Sequence, residues 1–224
     1  AGNTTFRDVK QSEHRGGQND ALVVHWPHGI DAKGEIREQY HHVSDIVPTI
    51  LEAARVGMPD SYHCIEQQPL DGDSMVYSFN APDAPNAKQR QYYEMFGNRA
   101  IWEDGWKAVT IHGNRMPWET NVVLPFEDDE WELYHVAEDF SESVNLAEEY
   151  PEKLAELVEA FDEEAWANNV YPLYDDMIAR LGKQQDRLFG DQKEFVYYAP
   201  GAFRIAEKAS APVKDRSHEI TTTL

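Results

Sequence analysis

A predicted β-hairpin in the middle of the chain constrains the fold more than any other feature. Residues 92–110 read YYEMFGNRAIWEDGWKAVT, with aromatic and β-branched residues on both sides of Asp104-Gly105. Such a pair favours a tight turn between two strands, because glycine readily adopts the positive φ angle that the turn requires. A two-stranded ribbon is only marginally stable alone, so we expect a further strand and a covering layer elsewhere in the chain.

The chain offers both further along. Residues 131–134 read WELY and are typical of an aromatic strand, whereas residues 154–165 have the spacing of an amphipathic helix that Pro151 can open. We predict that the apolar side of this helix covers the sheet and that Phe161 faces one of its tryptophans. The apolar helix positions are Leu154, Leu157, Val158, Phe161 and Ala165, and the candidate tryptophans are Trp102, Trp106 and Trp131.

The first part of the chain has the pattern of one α/β unit. Residues 21–26 read ALVVHW, a continuous apolar run that predicts a strand buried on both faces, as in a parallel sheet. A helix is predicted next, with Asp45 as its N-cap and Gly57 just after its end. A buried parallel strand needs neighbouring strands, and we find no run that supplies them. We therefore expect the chain to be the C-terminal part of a longer protein.

The charge balance argues against two classes of partner. The chain has 41 acidic residues against 20 lysines and arginines, for a net charge of -21. Nucleic acids and anionic membranes attract basic surfaces, so we expect neither as a partner. A site for an anionic substrate would need local cations that overcome this negative field.

Few residues suggest chemistry without further information. Residues 10–17 read KQSEHRGG, in which Lys10 could hold an anion as a point charge and the two glycines could let the backbone approach a ligand. The alternative is an ordinary surface lysine. His41 and His42 precede the predicted helix and could act as ligands or acid–base groups, or could simply pack within a loop. The single cysteine, Cys64, cannot form an internal disulfide.

Seven blocks of the sequence occur in an order that is familiar from one enzyme family. The first block holds Phe6-Arg7, Lys10, His14 and Gly16-Gly17. The blocks are residues 6–17, 24–30, 45–51, 70–75, 94–101, 104–108, and 131–134 together with 145–147. In this order they resemble the C-terminal half of the sulfatase family, in particular the large bacterial arylsulfatases.

The resemblance implies a fold and a domain organisation. The fold class would be α/β, the end of an alkaline-phosphatase-like sheet domain, followed by an α+β domain with a small antiparallel sheet and a packed C-terminal helix. Residues 1–75 would be the C-terminal part of the α/β catalytic domain. Residues 76–175 would form the smaller sheet and helix domain, and residues 176–224 would be an extended C-terminal segment.

The resemblance also implies a function. Sulfatases hydrolyse sulfate esters with a formylglycine made from Cys or Ser in a Cys/Ser-x-Pro-x-Arg motif, and they hold a calcium-type cation. Lys10 matches the family lysine that contacts the sulfate, so it is expected to be catalytic and substrate-binding, with His14 as a second substrate-binding residue. Cys64 is followed by Ile65-Glu66 and does not fit the nucleophile motif, and no metal ligand is expected in this chain.

The expected partners are therefore an N-terminal catalytic half of the same protein, which would carry the formylglycine and calcium, and a small sulfate ester substrate. The chain alone is expected to be inactive. Two alternatives remain open from the sequence. One is a phosphonate or phosphodiester hydrolase of the same superfamily, and the other is a non-catalytic interaction module that lacks the active half.

Overall fold

A computed structural model of the chain describes residues 4–31, 33–113, 125–175, 192–197, 210–211, 213 and 217–222. The chain divides into two compact units, Ala1–Leu173 and Tyr174–Leu224. The described residues of the second unit contain no helix or strand, and most of the predicted C-terminal segment lies outside the described residues. The domain boundaries after residues 75 and 175 stay predictions.

The helices and strands of the described residues all lie in the first unit. The α-helices are α1 (Arg15–Gln18), α2 (Ile46–Ala54), α3 (Val76–Phe79) and α4 (Pro151–Ala167). The strands are β1 (Ser61–Tyr62), β2 (Ile65–Glu66), β3 (Arg90–Met95), β4 (Asn98–Glu103), β5 (Trp106–Thr110) and β6 (Trp131–His135). Short 3₁₀ helices span Val43–Asp45 and Phe126–Asp128. None of the helices among the described residues is long and apolar enough to span a membrane.

The predicted hairpin is confirmed and belongs to an antiparallel sheet with the strand order β3-β4-β5-β6. Asp104 and Gly105 join β4 to β5, and their φ angles of 46° and 83° are both positive, as a type I′ turn requires. Glu103 pairs with Trp106 across this turn, and β6 pairs with β5 over its whole length. The WELY segment therefore supplies the further strand that the sequence predicts.

A second hairpin precedes the predicted one. The sequence places residues 92–96 ahead of the Asp104-Gly105 turn on one side of a single hairpin, but residues 92–95 belong to a separate strand, β3, and the chain turns back at Phe96 and Gly97. Both residues have positive φ angles, 54° and 88°. Phenylalanine seldom adopts that conformation, which explains why the turn gave no sequence signal.

Helix α4 covers one face of the sheet, as predicted. Leu157, Phe161 and Ala165 are fully buried against Ile101 and neighbouring side chains of the sheet. The Phe161 ring lies 5.7 Å from the Trp131 ring, so the predicted contact with a sheet tryptophan is confirmed.

Trp102 lies on the opposite face and does not face α4. Its ring stacks on Tyr40 with the centroids 3.7 Å apart, in a second buried cluster that includes Val109 and Tyr134. Successive residues of a strand point to opposite faces of the sheet. Ile101 and Leu133 therefore face α4, whereas the adjacent residues Trp102 and Tyr134 belong to the second cluster. The sheet is therefore covered on both sides, by α4 and by segments from the first part of the chain.

The prediction of a buried strand at residues 21–26 is wrong for this chain. The segment forms no strand, and Leu22, Val23 and Val24 are 55%, 89% and 44% exposed. Backbone groups form a ladder only with a neighbouring strand, and the described residues provide none beside this segment. The alkaline-phosphatase-like sheet therefore stays a prediction.

The helix predicted after this segment is confirmed, but its ends differ. The Asp45 carboxylate accepts a hydrogen bond from the His42 backbone N–H at 2.7 Å, so it caps the 3₁₀ turn that precedes α2 and not α2 itself. Arg55, with a φ angle of 57°, ends the helix, and Gly57 lies beyond that end. Ile50 on the apolar side of α2 is 60% exposed.

Candidate functional site

Residues 7–17 form a closed loop, here called the lysine loop, which carries Lys10. The Gly16 backbone N–H donates to the Arg7 carbonyl oxygen at 2.8 Å and closes it. Within the loop, the Ser12 backbone N–H donates to the Val9 carbonyl oxygen at 3.1 Å. Lys10 is exposed, and it makes no hydrogen bond or ion pair with the described residues.

The two glycines are needed for contact between backbone segments of the loop. A Cβ atom on Gly16 would lie 2.2 Å from the Asp8 carbonyl oxygen, and one on Gly17 would lie 1.9 Å from the Ser12 carbonyl oxygen. Any side chain at either glycine would push these backbone segments apart. From the sequence alone these glycines could let a ligand approach the backbone, and in the structure they let another part of the chain approach it.

Two residues beside Lys10 hold unusual backbone conformations. Asp8 and Gln11 have φ angles of 62° and 84°, a region that residues with a side chain rarely adopt. Such conformations persist where surrounding contacts hold them, and they are common at functional sites. One such contact comes from β4, where Asn98 Nδ2 donates to the Gln11 carbonyl oxygen at 2.7 Å.

Glu132 of β6 anchors the lysine loop to the sheet. The two terminal guanidinium nitrogens of Arg7 each lie 3.2 Å from one of its carboxylate oxygens, and His14 Nε2 lies 2.7 Å from Oε2. The Tyr134 hydroxyl donates to the same carboxylate at 2.9 Å. Partial burial alone would raise the pKa of Glu132, but the hydrogen bonds from His14 and Tyr134 and the charge of Arg7 lower it to about 2.

His14, which we predicted to bind substrate, is a buried residue of the lysine loop. Its Nε2 faces Glu132, and its Nδ1 lies 3.0 Å from Ser12 Oγ and 3.3 Å from Asp8 Oδ2. Both ring nitrogens therefore meet protein groups, and the ring links the loop to the sheet. A contact between His14 and a substrate stays a prediction, as does one between Lys10 and a sulfate.

A buried ion pair holds the end of the loop. The Glu142 carboxylate accepts hydrogen bonds from Lys107 Nζ at 2.7 Å and from the Arg15 backbone N–H at 2.8 Å. Lys107 is 3% exposed and Glu142 is 2% exposed. Burial lowers the pKa of Lys107, while the charge of Glu142 acts in the opposite direction.

A third carboxylate, Glu13, lies in the same buried region. It accepts a hydrogen bond from Gln18 Nε2 at 2.9 Å. Burial raises the pKa of Glu13 to about 7, although the Gln18 hydrogen bond and the charge of Lys107 act against that rise. The region between the lysine loop and the sheet thus contains one buried lysine and more than one buried carboxylate.

These supporting residues were not predicted from the sequence. Glu132 was part of a predicted strand but not of a predicted site. Its signal was the alternation in WELY, which places a glutamate beside Tyr134 on a face of a sheet expected to be covered. Nothing local singled out Glu142 or Asn98.

The other residues considered from the sequence have structural surroundings. Cys64 is exposed in the turn between β1 and β2. His42 Nδ1 lies 2.9 Å from Ser44 Oγ, and burial lowers the pKa of both His41 and His42. Within the described ranges, no group of three His, Cys, Asp or Glu residues could hold a metal ion.

Comparison with known proteins shows which sequences and solved structures this chain is similar to. No family model matches the chain. An uncharacterised sulfatase of Schizosaccharomyces pombe is 30% identical over 133 residues, which cover 55% of this chain and 21% of that protein. A crystal structure of Ps i-CgsB superposes with a TM-score of 0.57 at 20% identity, over 83% of this chain and 37% of the other. The resemblance to the sulfatases is confirmed.

A second solved structure agrees with this sulfatase-like fold. It is a Bacteroides thetaiotaomicron protein named BT33336S-sulf, with a TM-score of 0.52 and 19% identity over 70% of this chain and 31% of that protein. The chain thus has the mixed α/β fold, small antiparallel sheet and C-terminal helix of these neighbours. It spans about a fifth of the length of its sulfatase relative from S. pombe.

Proposed function

We propose that this chain is the C-terminal portion of an arylsulfatase that hydrolyses sulfate esters, and that it contributes the sulfate-binding Lys10 and the rim of the substrate pocket. The observation that carries the proposal is the lysine loop. It belongs to the first block that resembles the sulfatases, and it presents an exposed cation on a backbone closed by two glycines and tied to the sheet.

Lys10 would act electrostatically. The negative charge on the sulfate group is redistributed as the ester bond breaks. A cation held beside the sulfate oxygens stabilises the transition state in which this happens. The chain has a net charge of -21, so an anion needs such a local cation to approach. The Lys10 ammonium is exposed and forms no ion pair with a carboxylate of the described residues, so it is available to bind an anion.

The proposal assigns the rest of the reaction to another part of the protein. Formylglycine and calcium supply the nucleophile and a further positive charge in sulfatases, and we place both in an N-terminal catalytic half. That half would cover the exposed apolar residues of this chain. They include Leu22, Val23, Val24, Val47 and Ile50.

The test is a steady-state assay of the intact protein that contains this chain. We expect turnover of 4-nitrophenyl sulfate with a larger kcat/KM than for bis(4-nitrophenyl) phosphate, and no turnover of either ester by residues 1–224 alone. A larger kcat/KM for the phosphodiester would favour a phosphodiester hydrolase. An intact protein that hydrolyses neither ester would favour a non-catalytic module.

A further inference from the structure

The lysine loop is held both by hydrogen bonds within it and by contacts with the rest of the chain. Its tip contains Asp8 and Gln11 in unfavourable backbone conformations on either side of Lys10, and both residues lie at or near the surface of the first unit. Such conformations persist where surrounding contacts hold them. Besides the hydrogen bonds within the loop, these contacts come from the antiparallel sheet and from the segment that follows it.

Glu132 makes the most extensive of these contacts. Its carboxylate binds Arg7 through both terminal guanidinium nitrogens and binds His14 through Nε2. Arg7 precedes Lys10 and His14 follows it, so one carboxylate joins the two sides of the loop. Paired guanidinium–carboxylate contacts fix direction as well as distance, because both groups are planar.

We propose that Glu132 is a positioning residue for Lys10: by holding both sides of the lysine loop, it sets where the Lys10 ammonium meets the substrate. This inference rests on the proposed function of Lys10 in sulfate binding. Glu132 lies under the loop and has no need to touch the substrate itself. Asn98 supports the same loop nearer the tip, through its hydrogen bond to the Gln11 carbonyl oxygen.

The matched control is Glu103, a glutamate of the same sheet that also binds an arginine. Its Oε2 lies 2.7 Å from Arg90 Nε, on β3 and away from the lysine loop. Glu132→Gln and Glu103→Gln each replace a carboxylate with an amide of the same shape. A difference between the two variants therefore reports on the loop and not on the general loss of an ion pair.

The first measurement is hydrogen exchange, which needs no activity. The amides of Ser12 and Gly16 donate within the loop, and in Glu132→Gln we expect them to exchange about tenfold faster or more, while amides in α4 keep their rates. Glu103→Gln should leave the loop amides unchanged. Unchanged exchange of these amides in Glu132→Gln would overturn the inference.

The second measurement is kinetic and uses 4-nitrophenyl sulfate with the intact protein. Misplacing a catalytic group by about 1 Å can lower a rate by about 100-fold, so we expect Glu132→Gln to lower kcat/KM by about 10- to 100-fold, mostly through kcat. When Lys10→Ala is already present, adding Glu132→Gln should change kcat/KM by no more than about twofold, since non-additivity marks residues that act together. Glu103→Gln should have no effect in either background.

The outcomes separate the inference from the proposed function. The positioning role would be overturned if the fold-decrease in kcat/KM of the Lys10→Ala, Glu132→Gln double variant equalled the product of the two single decreases. An unchanged kcat/KM in Glu132→Gln would also overturn it. Asn98→Asp provides a second variant if Glu132→Gln folds poorly. It keeps an oxygen for the His112 backbone N–H and removes the donor to Gln11, so it should also loosen the loop and lower kcat/KM. An inactive wild-type protein would remove the proposed function, while exchange would still decide whether Glu132 holds the loop.

Discussion

Replacing Lys107 with methionine should destabilise the first unit strongly, because the change leaves a carboxylate buried without its cation. The Lys107 ammonium is 2.7 Å from Glu142 Oε1, and the Glu142 side chain is fully buried. After Lys107→Met, the Arg15 backbone N–H still donates to that carboxylate, but no cation neutralises it there. Removing one partner of a buried ion pair reduces stability by about 3–5 kcal/mol, and we expect a loss of this size.

The control is an exposed ion pair with the same separation. Lys153 Nζ lies 2.7 Å from Glu156 Oε1 on α4, where the Glu156 side chain is 59% exposed. Exposed pairs contribute about 0–1 kcal/mol, so Lys153→Met should have little effect. The comparison keeps the distance and the residue types constant and changes the burial.

The assay is urea denaturation of the chain, with the free energy of unfolding taken by linear extrapolation. The double variant Lys107→Met, Glu142→Gln removes both charges, so it should be more stable than Lys107→Met alone. If Lys107→Met reduces stability no more than Lys153→Met does, burial of the Glu142 charge is not what makes the pair important. That result would refute the reasoning.

Further expectations concern the core, the site and the pH dependence of stability. Phe161→Ala removes a fully buried ring that packs on Trp131 and should reduce the free energy of unfolding by about 3–5 kcal/mol, measured by urea denaturation. Lys10→Ala should lower transition-state stabilisation by about 2–4 kcal/mol in the intact protein, measured as kcat/KM on 4-nitrophenyl sulfate, and Lys33→Ala at another exposed site should not. Burial raises the pKa of Glu13 from 4.5 to about 7, so the unfolded chain releases this proton at lower pH than the folded chain does. Stability should therefore fall as the pH rises from about 4.5 to about 7, and Glu13→Gln should remove that part of the decline in thermal unfolding experiments.

The elements that could be predicted from the sequence are those with a local physical cause. Asp104-Gly105 supplies the φ angles of a tight turn, and Pro151 begins a helix whose apolar spacing is complete within α4. The turn at Phe96-Gly97 was missed because its first residue is one that seldom takes a positive φ angle. In that hairpin, strand pairing overrides the local preference of one residue.

The apolar sequence of residues 21–26 could not predict whether this segment is buried in this chain. The run reads as a buried strand, yet Val23 is 89% exposed. A strand is completed by its neighbours, and the pattern within one segment says nothing about whether they are present. The same holds for α2, whose helical spacing was predicted correctly while Val47 on its apolar side is 48% exposed.

The candidate site shows why Lys10 was easier to find than the residues that support it. Lys10 stands in a short block with recognisable neighbours, whereas His14 and Glu132 are separated by 118 residues and Arg15 and Glu142 by 127. No periodicity or turn preference acts over such distances, so only the folded sheet brings these groups together. The conformation of the lysine loop is consequently a property of the antiparallel sheet as much as of its own sequence. It follows that substitutions in β6 can change how Lys10 is presented without altering any residue of the block that carries it.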